Sequence, residues 1–166
     1  DVHGKTGLDG ADLPEPTVES LTVSANDLMA SILRNSEERV TFVVTGPMTN
    51  MAIFLLSHPE LKSKIGAISF MGGACFGGNI TPQAEFNIYV DPEAAQIVMD
   101  SGVPVNMFGL DVTLKAQLFD EDVDYIAALD NPVADVMAGL LHFFSLTTTQ
   151  PFMAEEGHVE GIHMHD

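Results

Sequence analysis

Apolar residues in this chain fall into short β-branched runs, separated by longer stretches with the period of a helix. Val40-Thr41-Phe42-Val43-Val44 stops at Thr45-Gly46-Pro47 and reads as a strand buried on both faces. Ile65 to Phe70, stopping at Met71-Gly72-Gly73, reads the same way, and Val103 to Phe108, stopping at Gly109-Leu110-Asp111, reads as a third strand. Between the first two runs, Thr49 to Ser57 predicts a helix ended by His58-Pro59. Asp91-Pro92-Glu93 opens another helix, with Asp as N-cap and Pro in the first turn, and Ser101-Gly102 closes it. Upstream, Ser24 predicts the N-cap of a helix carrying Leu28, Met29, Ile32 and Leu33, with Asp27 at the capping-box position. Downstream, helices are predicted near Asp120 to Leu129 and from Pro132 to Thr147, where Met137, His142 and Phe143 read as packing residues. From Gln150 on, the chain reads as loop, rich in Gly, His and Glu.

Strand, helix, strand, helix, strand predicts an α/β fold: an open, mainly parallel sheet with flanking helices. The 166 residues, 46% of them hydrophobic, suit one domain with a sizeable core. Ligands of such sheets bind beyond the carboxyl ends of the strands. All three strands end there in glycine-bearing turns. The loop from Gly72 to Asn87 is long and carries Asn79, Glu85 and Asn87, side chains suited to sugar hydroxyls. Two readings of that loop stay open, a sugar site and a set of ordinary turns made by Asn and Gly. No Gly-x-Gly-x-x-Gly follows a strand and no Walker A motif is present, which argues against dinucleotide and nucleoside triphosphate sites.

Charge narrows the partners. With 24 acidic and 6 basic residues the formal net charge is -18, which disfavours nucleic acid and anionic membranes. The apolar runs are too short to span a bilayer. Cys75 is the single cysteine, so no intramolecular disulfide forms, consistent with a reducing, cytoplasmic setting. No signal peptide is visible. The chain opens without Met at Asp1-Val2-His3-Gly4 and reads as the middle of a longer protein.

The ordered motifs are more specific than any of these features. His3-Gly4-x-x-Gly7-Leu8 is followed by Thr45-Gly46-Pro47-Met48-Thr49-Asn50 and Met71-Gly72-Gly73-Ala74. Gly78-Asn79-x-Thr81-Pro82-x-Ala84-Glu85-Phe86-Asn87 and Asp91-Pro92-Glu93-Ala94-Ala95 come next, then Gly109-Leu110-Asp111-Val112-Thr113 and a terminal His165-Asp166. Together they resemble the inosine-uridine nucleoside hydrolase family, in its order and over nearly the whole chain. The resemblance implies the family's Rossmann-like fold, here as the central part of a single domain spanning 1–166. It implies hydrolysis of the N-glycosidic bond of inosine, uridine or a similar nucleoside, in nucleoside salvage. It implies one Ca²⁺ that holds the ribose hydroxyls and the attacking water, with the ribosyl centre turning oxocarbenium-like. By motif position Thr45 resembles the residue that gives a backbone carbonyl to calcium, and Asp166 a carboxylate ligand. Asn79, Glu85, Asn87 and Met71 match ribose-holding residues, Phe86 an aromatic beside the base, and His3 a histidine near the base. His165 matches the histidine that protonates the leaving base. A homo-oligomer, dimer or tetramer, is the family's usual state.

The family's opening cluster, Asp-x-Asp-x-x-x-Asp-Asp, has no counterpart here, since Asp9-Gly10-Ala11-Asp12 has the wrong spacing and follows the His-Gly motif. A non-catalytic nucleoside- or ribose-binding module on the same scaffold is therefore the second reading. A receiver-like signalling domain is the third, and it lacks the acidic pair it needs. Asp111 reads as a structural hydrogen-bonder at its strand end. His163 and His165 share one His-rich tail, and the His-Asp pairing alone selects His165. Phe143, Phe144, Gln150 and Phe152 are expected to cover the base, and they match neither a purine nor a pyrimidine pattern.

Overall fold

The computed structural model describes residues 4–148 and 161–166, with backbone only at 147 and 148. His3, Gln150 and Phe152 lie outside the described residues. The chain forms two compact units: Ser20–Thr113 with His165–Asp166, and Asp1–Glu19 with Leu114–Met164.

The first unit is built on a three-stranded sheet in the order β1-β2-β3, with β1 at Val40–Val44, β2 at Ile65–Met71 and β3 at Val105–Phe108. Both pairings are parallel, with Val44 opposite Phe70 and Met71 opposite Phe108. All three strands therefore end at one rim, as the open parallel sheet predicted from the sequence requires. Helix α1 (Ala25–Asn35) starts where Ser24 Oγ accepts from the Asp27 amide at 3.1 Å, the capping contact expected from the sequence. Helix α2 spans Thr49–Ser57, and a 3₁₀ turn at Pro59–Lys64 leads into β2. Two further helices, α3 (Phe86–Val90) and α4 (Pro92–Met99), fill the connection from β2 to β3. Asp91 caps α4 by accepting from the Ala94 amide at 3.0 Å, and it also accepts from Thr49 Oγ1 at the start of α2. Those two bonds, Thr49 foremost, hold its carboxyl below the ordinary aspartate range.

The core is made by Leu33 of α1, Met51, Phe54 and Leu55 of α2, Ile68 and Phe70 of β2, and Val98 of α4. β1 departs from the expectation of a strand buried on both faces: it alternates, and Val43 is 74% exposed. The helices cover the face carrying Phe42 and Val44, while Thr41, Val43 and Asn106 face outward. Only the central strand β2 has the near-continuous burial expected of a parallel sheet.

In the second unit β4 (Gln117–Leu118) pairs antiparallel with β5 (Ile162–His163). Helices α6 (Asp120–Ala127) and α7 (Pro132–Thr148) pack together there. Asn131 caps α7, its Oδ1 accepting from the Val133 and Ala134 amides at 3.1 and 3.0 Å. The packing expected of this helix is corrected in part. His142 is exposed and Met137 is 41% exposed, whereas Ala134 and Leu141 are buried. A long apolar stretch does not say which stripe of the helix finds a partner. No described helix is long and apolar enough to cross a membrane.

Candidate functional site

The rim where the strands end is shaped by side chains that capture backbone N–H groups. Glu85 is the N-cap of α3 and is 3% exposed. Its Oε1 accepts from the Asn87 amide at 2.7 Å, and its Oε2 accepts from the Gly73 and Ile88 amides at 2.9 and 3.0 Å. One carboxyl group thus ties the turn after β2 to the start of α3. Asn79 works in the same way, its Oδ1 accepting from the Phe86 amide at 2.8 Å. Around it the loop doubles back, with the Asn79, Ile80 and Thr81 amides all directed at the Ala84 carbonyl. Gly78 sits so close to that turn that a Cβ would come within 2.4 Å of the Ala84 and Thr81 backbone.

Asn87 is 7% exposed, and its Nδ2 lies 3.2 Å from the Met71 carbonyl, 3.3 Å from Met71 Sδ and 3.3 Å from Asp166 Oδ1. Its amide oxygen accepts no hydrogen bond from a described residue. A polar group this well buried has its geometry set by its partners. Three residues distant in sequence, 71, 87 and 166, therefore meet at one point beyond the end of β2. The adjacent His165 is held by Thr113, whose Oγ1 is 2.8 Å from His165 Nδ1. His163 belongs instead to the β4–β5 pair, where its Nε2 meets Gln117 Nε2 at 2.8 Å. Geometry thus separates the two tail histidines, and His165 is the one beside Asp166 and Asn87.

Asp111 stands in the short helix α5 (Leu110–Thr113) and accepts from the Cys75 and Phe76 amides at 2.7 and 3.3 Å. The Cys75 amide foremost holds its carboxyl below the ordinary range, and the negative Asp111 pushes the Cys75 thiol up. This is the structural bonding read for Asp111 from the sequence. Thr45 lies exposed just past the end of β1, and no described hydrogen bond joins it to Asn87 or Asp166. Phe86 opens α3 with its ring about half exposed. Thr113, buried against His165, is the residue that motif matching did not single out; its signal was its place at the end of Gly109-Leu110-Asp111-Val112-Thr113.

The oxygen donors at this rim are the Asp166 carboxylate, the Asn87 amide oxygen and the Thr45 carbonyl. They suit a hard cation such as Ca²⁺ in kind but fall short of its usual six to eight ligands. Among the described residues no three His, Cys, Asp or Glu side chains form a metal cluster. The fit to calcium is partial.

Comparison with known proteins bears on the family and the fold. The model of the family described as inosine-uridine preferring nucleoside hydrolase matches residues 1–166. The chain is 54% identical over 156 residues to a pyrimidine-specific ribonucleoside hydrolase RihA of Photobacterium profundum, covering 94% of this chain and 50% of that protein. It is 60% identical over 143 residues to a protein of the same name from Escherichia coli, covering 86% and 46%. In structure it is similar to a purine-preferring ribonucleoside hydrolase from Gardnerella vaginalis, with TM-score 0.90 and 34% identity over 99% of this chain and 51% of the other. A plant nucleoside hydrolase, PpNRh1, follows with TM-score 0.86 and 28% identity over 99% and 50%. The chain thus spans about half the length of the curated relatives it matches. With its whole length matched and its rim built from the motifs that carried the resemblance, this chain belongs to the inosine-uridine preferring nucleoside hydrolase family.

Proposed function

We propose that the whole protein carrying this chain hydrolyses the N-glycosidic bond of ribonucleosides to ribose and free base, with pyrimidine nucleosides as preferred substrates. The meeting of Asn87, Met71 and Asp166 beyond β2, with His165 alongside, carries this reading. It sets an amide, a carboxylate and a titratable ring where a parallel sheet receives its ligand. The base preference rests on the relatives at 54% and 60% identity, both named as pyrimidine-specific.

In this proposal Asn87 and Met71 hold the ribose from the sheet side, and Phe86 lies beside the base. Asn79 and Glu85 act on the sugar chiefly by holding the loop that presents Asn87, because their oxygens already accept backbone N–H groups. His165 supplies a proton to the departing base, which stabilises the negative charge left on it. Calcium belongs to the same proposal: Asp166 and the Thr45 carbonyl would be among its ligands, and the rest would come from outside this chain. When bound, such an ion lowers the pKa of a coordinated water and fixes its position. His3 near the base, a cytoplasmic setting and a dimer or tetramer complete it.

The test is reducing-sugar release from uridine, cytidine and inosine, with and without a chelator. The full-length protein is expected to release ribose, fastest from the pyrimidines, and to stop when the metal is removed. The 166 residues alone are expected to hydrolyse nothing measurable. A full-length protein that binds nucleosides without cleaving them would leave the binding module as the correct reading.

A further inference from the structure

The Gly109–Thr113 motif ends in a residue that the reaction described above does not use. Thr113 closes α5 and is 6% exposed. Its amide donates to the Gly109 carbonyl at 3.1 Å, and its hydroxyl lies 2.8 Å from His165 Nδ1. We propose that Thr113 is a positioning residue that donates its hydroxyl proton to Nδ1 of His165 and so keeps the ring proton on Nε2.

The direction of that bond follows from burial. The Thr113 hydroxyl has no second partner among the described residues. If it accepted from an Nδ1–H, its own proton would be buried without an acceptor. If it donates, only a lone pair goes unused, which costs less. Nδ1 is then the acceptor and Nε2 carries the hydrogen. Nε2–H is thereby the hydrogen-bond donor of the neutral ring. Delivering a proton to a departing base takes the doubly protonated ring, in which the Thr113 hydroxyl turns to accept from Nδ1–H while Nε2 gives up its proton and a neutral imidazole remains.

The support under Thr113 is firm. In the same short helix, the Leu110 amide donates to the Gly73 carbonyl at 2.9 Å. Asp111 takes the Cys75 and Phe76 amides. The helix is thus stitched to the turn after β2, the same turn that Glu85 ties to Asn87. His165 and Asp166 are consecutive, and each is held from a different element: His165 by Thr113 at the end of α5, Asp166 by Asn87 in α3. A ring held at one nitrogen by a fixed partner loses the freedom to flip and to exchange tautomers, the role such partners play for working histidines elsewhere.

The role of His165 rests on the proposed function, but the bond to Thr113 does not, and the test separates them. The full-length protein, labelled with ¹⁵N at histidine, is examined by long-range proton–nitrogen spectra at a pH where the ring is neutral. His165 is expected to show one tautomer, protonated at Nε2, with Nδ1 shifted as a hydrogen-bond acceptor. Thr113→Ser should keep that signature and Thr113→Val should lose it, giving a mixture or an unshifted Nδ1. In steady-state kinetics Thr113→Val should lower kcat about tenfold with little change in KM, and Thr113→Ser should restore it. A proton on Nδ1 in the unaltered protein overturns the proposal whether or not the Val variant folds, and so does a Val variant whose ring signals match the parent. If tautomer and shift are as expected but no nucleoside is cleaved, the functional reading fails and the Thr113 bond stands.

Discussion

The two ends of the central strand β2 are built on different terms. At its carboxyl end three polar side chains, Glu85, Asn87 and Thr113, are almost wholly buried, and each has defined partners. At its amino end lies an open cleft of about 270 Å³ lined by Arg39, Lys62, Ser63, Ser101 and Pro104. There Arg39 is exposed, and Lys62 Nζ makes one long bond, 3.4 Å, to the Ser101 carbonyl. Burying a polar group without partners is costly, so a cluster of buried, partnered side chains has a committed geometry. Exposed cations keep their water and their freedom. The contrast is one of desolvation: the rim carrying the family's motifs holds buried polar groups in fixed partnerships, and the amino end does not.

The sharpest way to break this contrast is Asp166→Ala in the full-length protein. It removes the carboxylate that Asn87 holds, and turnover is expected to fall by at least about 100-fold, with weaker metal affinity measured alongside. Retained turnover would remove Asp166 from the site.

Glu85→Ala comes next, because it leaves the Gly73, Asn87 and Ile88 amides without their acceptor. With each buried unmade bond costing about 1–3 kcal/mol, a loss of roughly 3 kcal/mol or more is expected in urea unfolding. A loss below about 1 kcal/mol would mean that water replaces the carboxyl, and the rim would then be less committed than described.

Asp111 gives a subtler, pH-dependent arm. Its carboxyl ionises more readily folded than unfolded, chiefly because of the Cys75 amide. Its anchoring of the loop is therefore complete above the ordinary aspartate pKa and is lost as pH falls through the lowered folded value. The protection of the Cys75 and Phe76 amides, taken relative to their intrinsic exchange rates, should fall over that acidic range and stay flat above it. Asp111→Asn should also relieve the upward push on the Cys75 thiol, so alkylation at mildly alkaline pH should speed up.

The smallest effect belongs to the amino end. Arg39→Ala and Lys62→Ala are each expected to change stability by no more than about 0.5 kcal/mol and to leave turnover unchanged. A large loss of turnover at either position would reverse the comparison between the two ends.

Much of this architecture was legible beforehand, for local reasons. Val40–Val44 and Thr49–Ser57 have the bounds that their β-branched run and their glycine and proline punctuation predict. Ser24 and Asp91 cap the helices they were read to cap. Other elements gave no readable signal. The five-residue α3 begins within what read as a loop and was not anticipated, because its cap is Glu85 and not one of the usual short side chains. The four-residue α5 is too short to show a period. The β4–β5 pair joins two-residue segments more than forty positions apart, and nothing local announces such a pairing.

The order and type of residues, by themselves, determined the open parallel sheet, the rim at which its strands end and the family whose motifs line that rim. These depend on near neighbours along the chain, through periodicity, capping and glycine turns. Only the tertiary structure decided that Asp166 meets Asn87, that Thr113 holds His165 and not His163, and that Glu85 spends its oxygens on backbone amides. Those partnerships join positions brought close by folding, and the cost of burying a polar group unpartnered is what makes them definite.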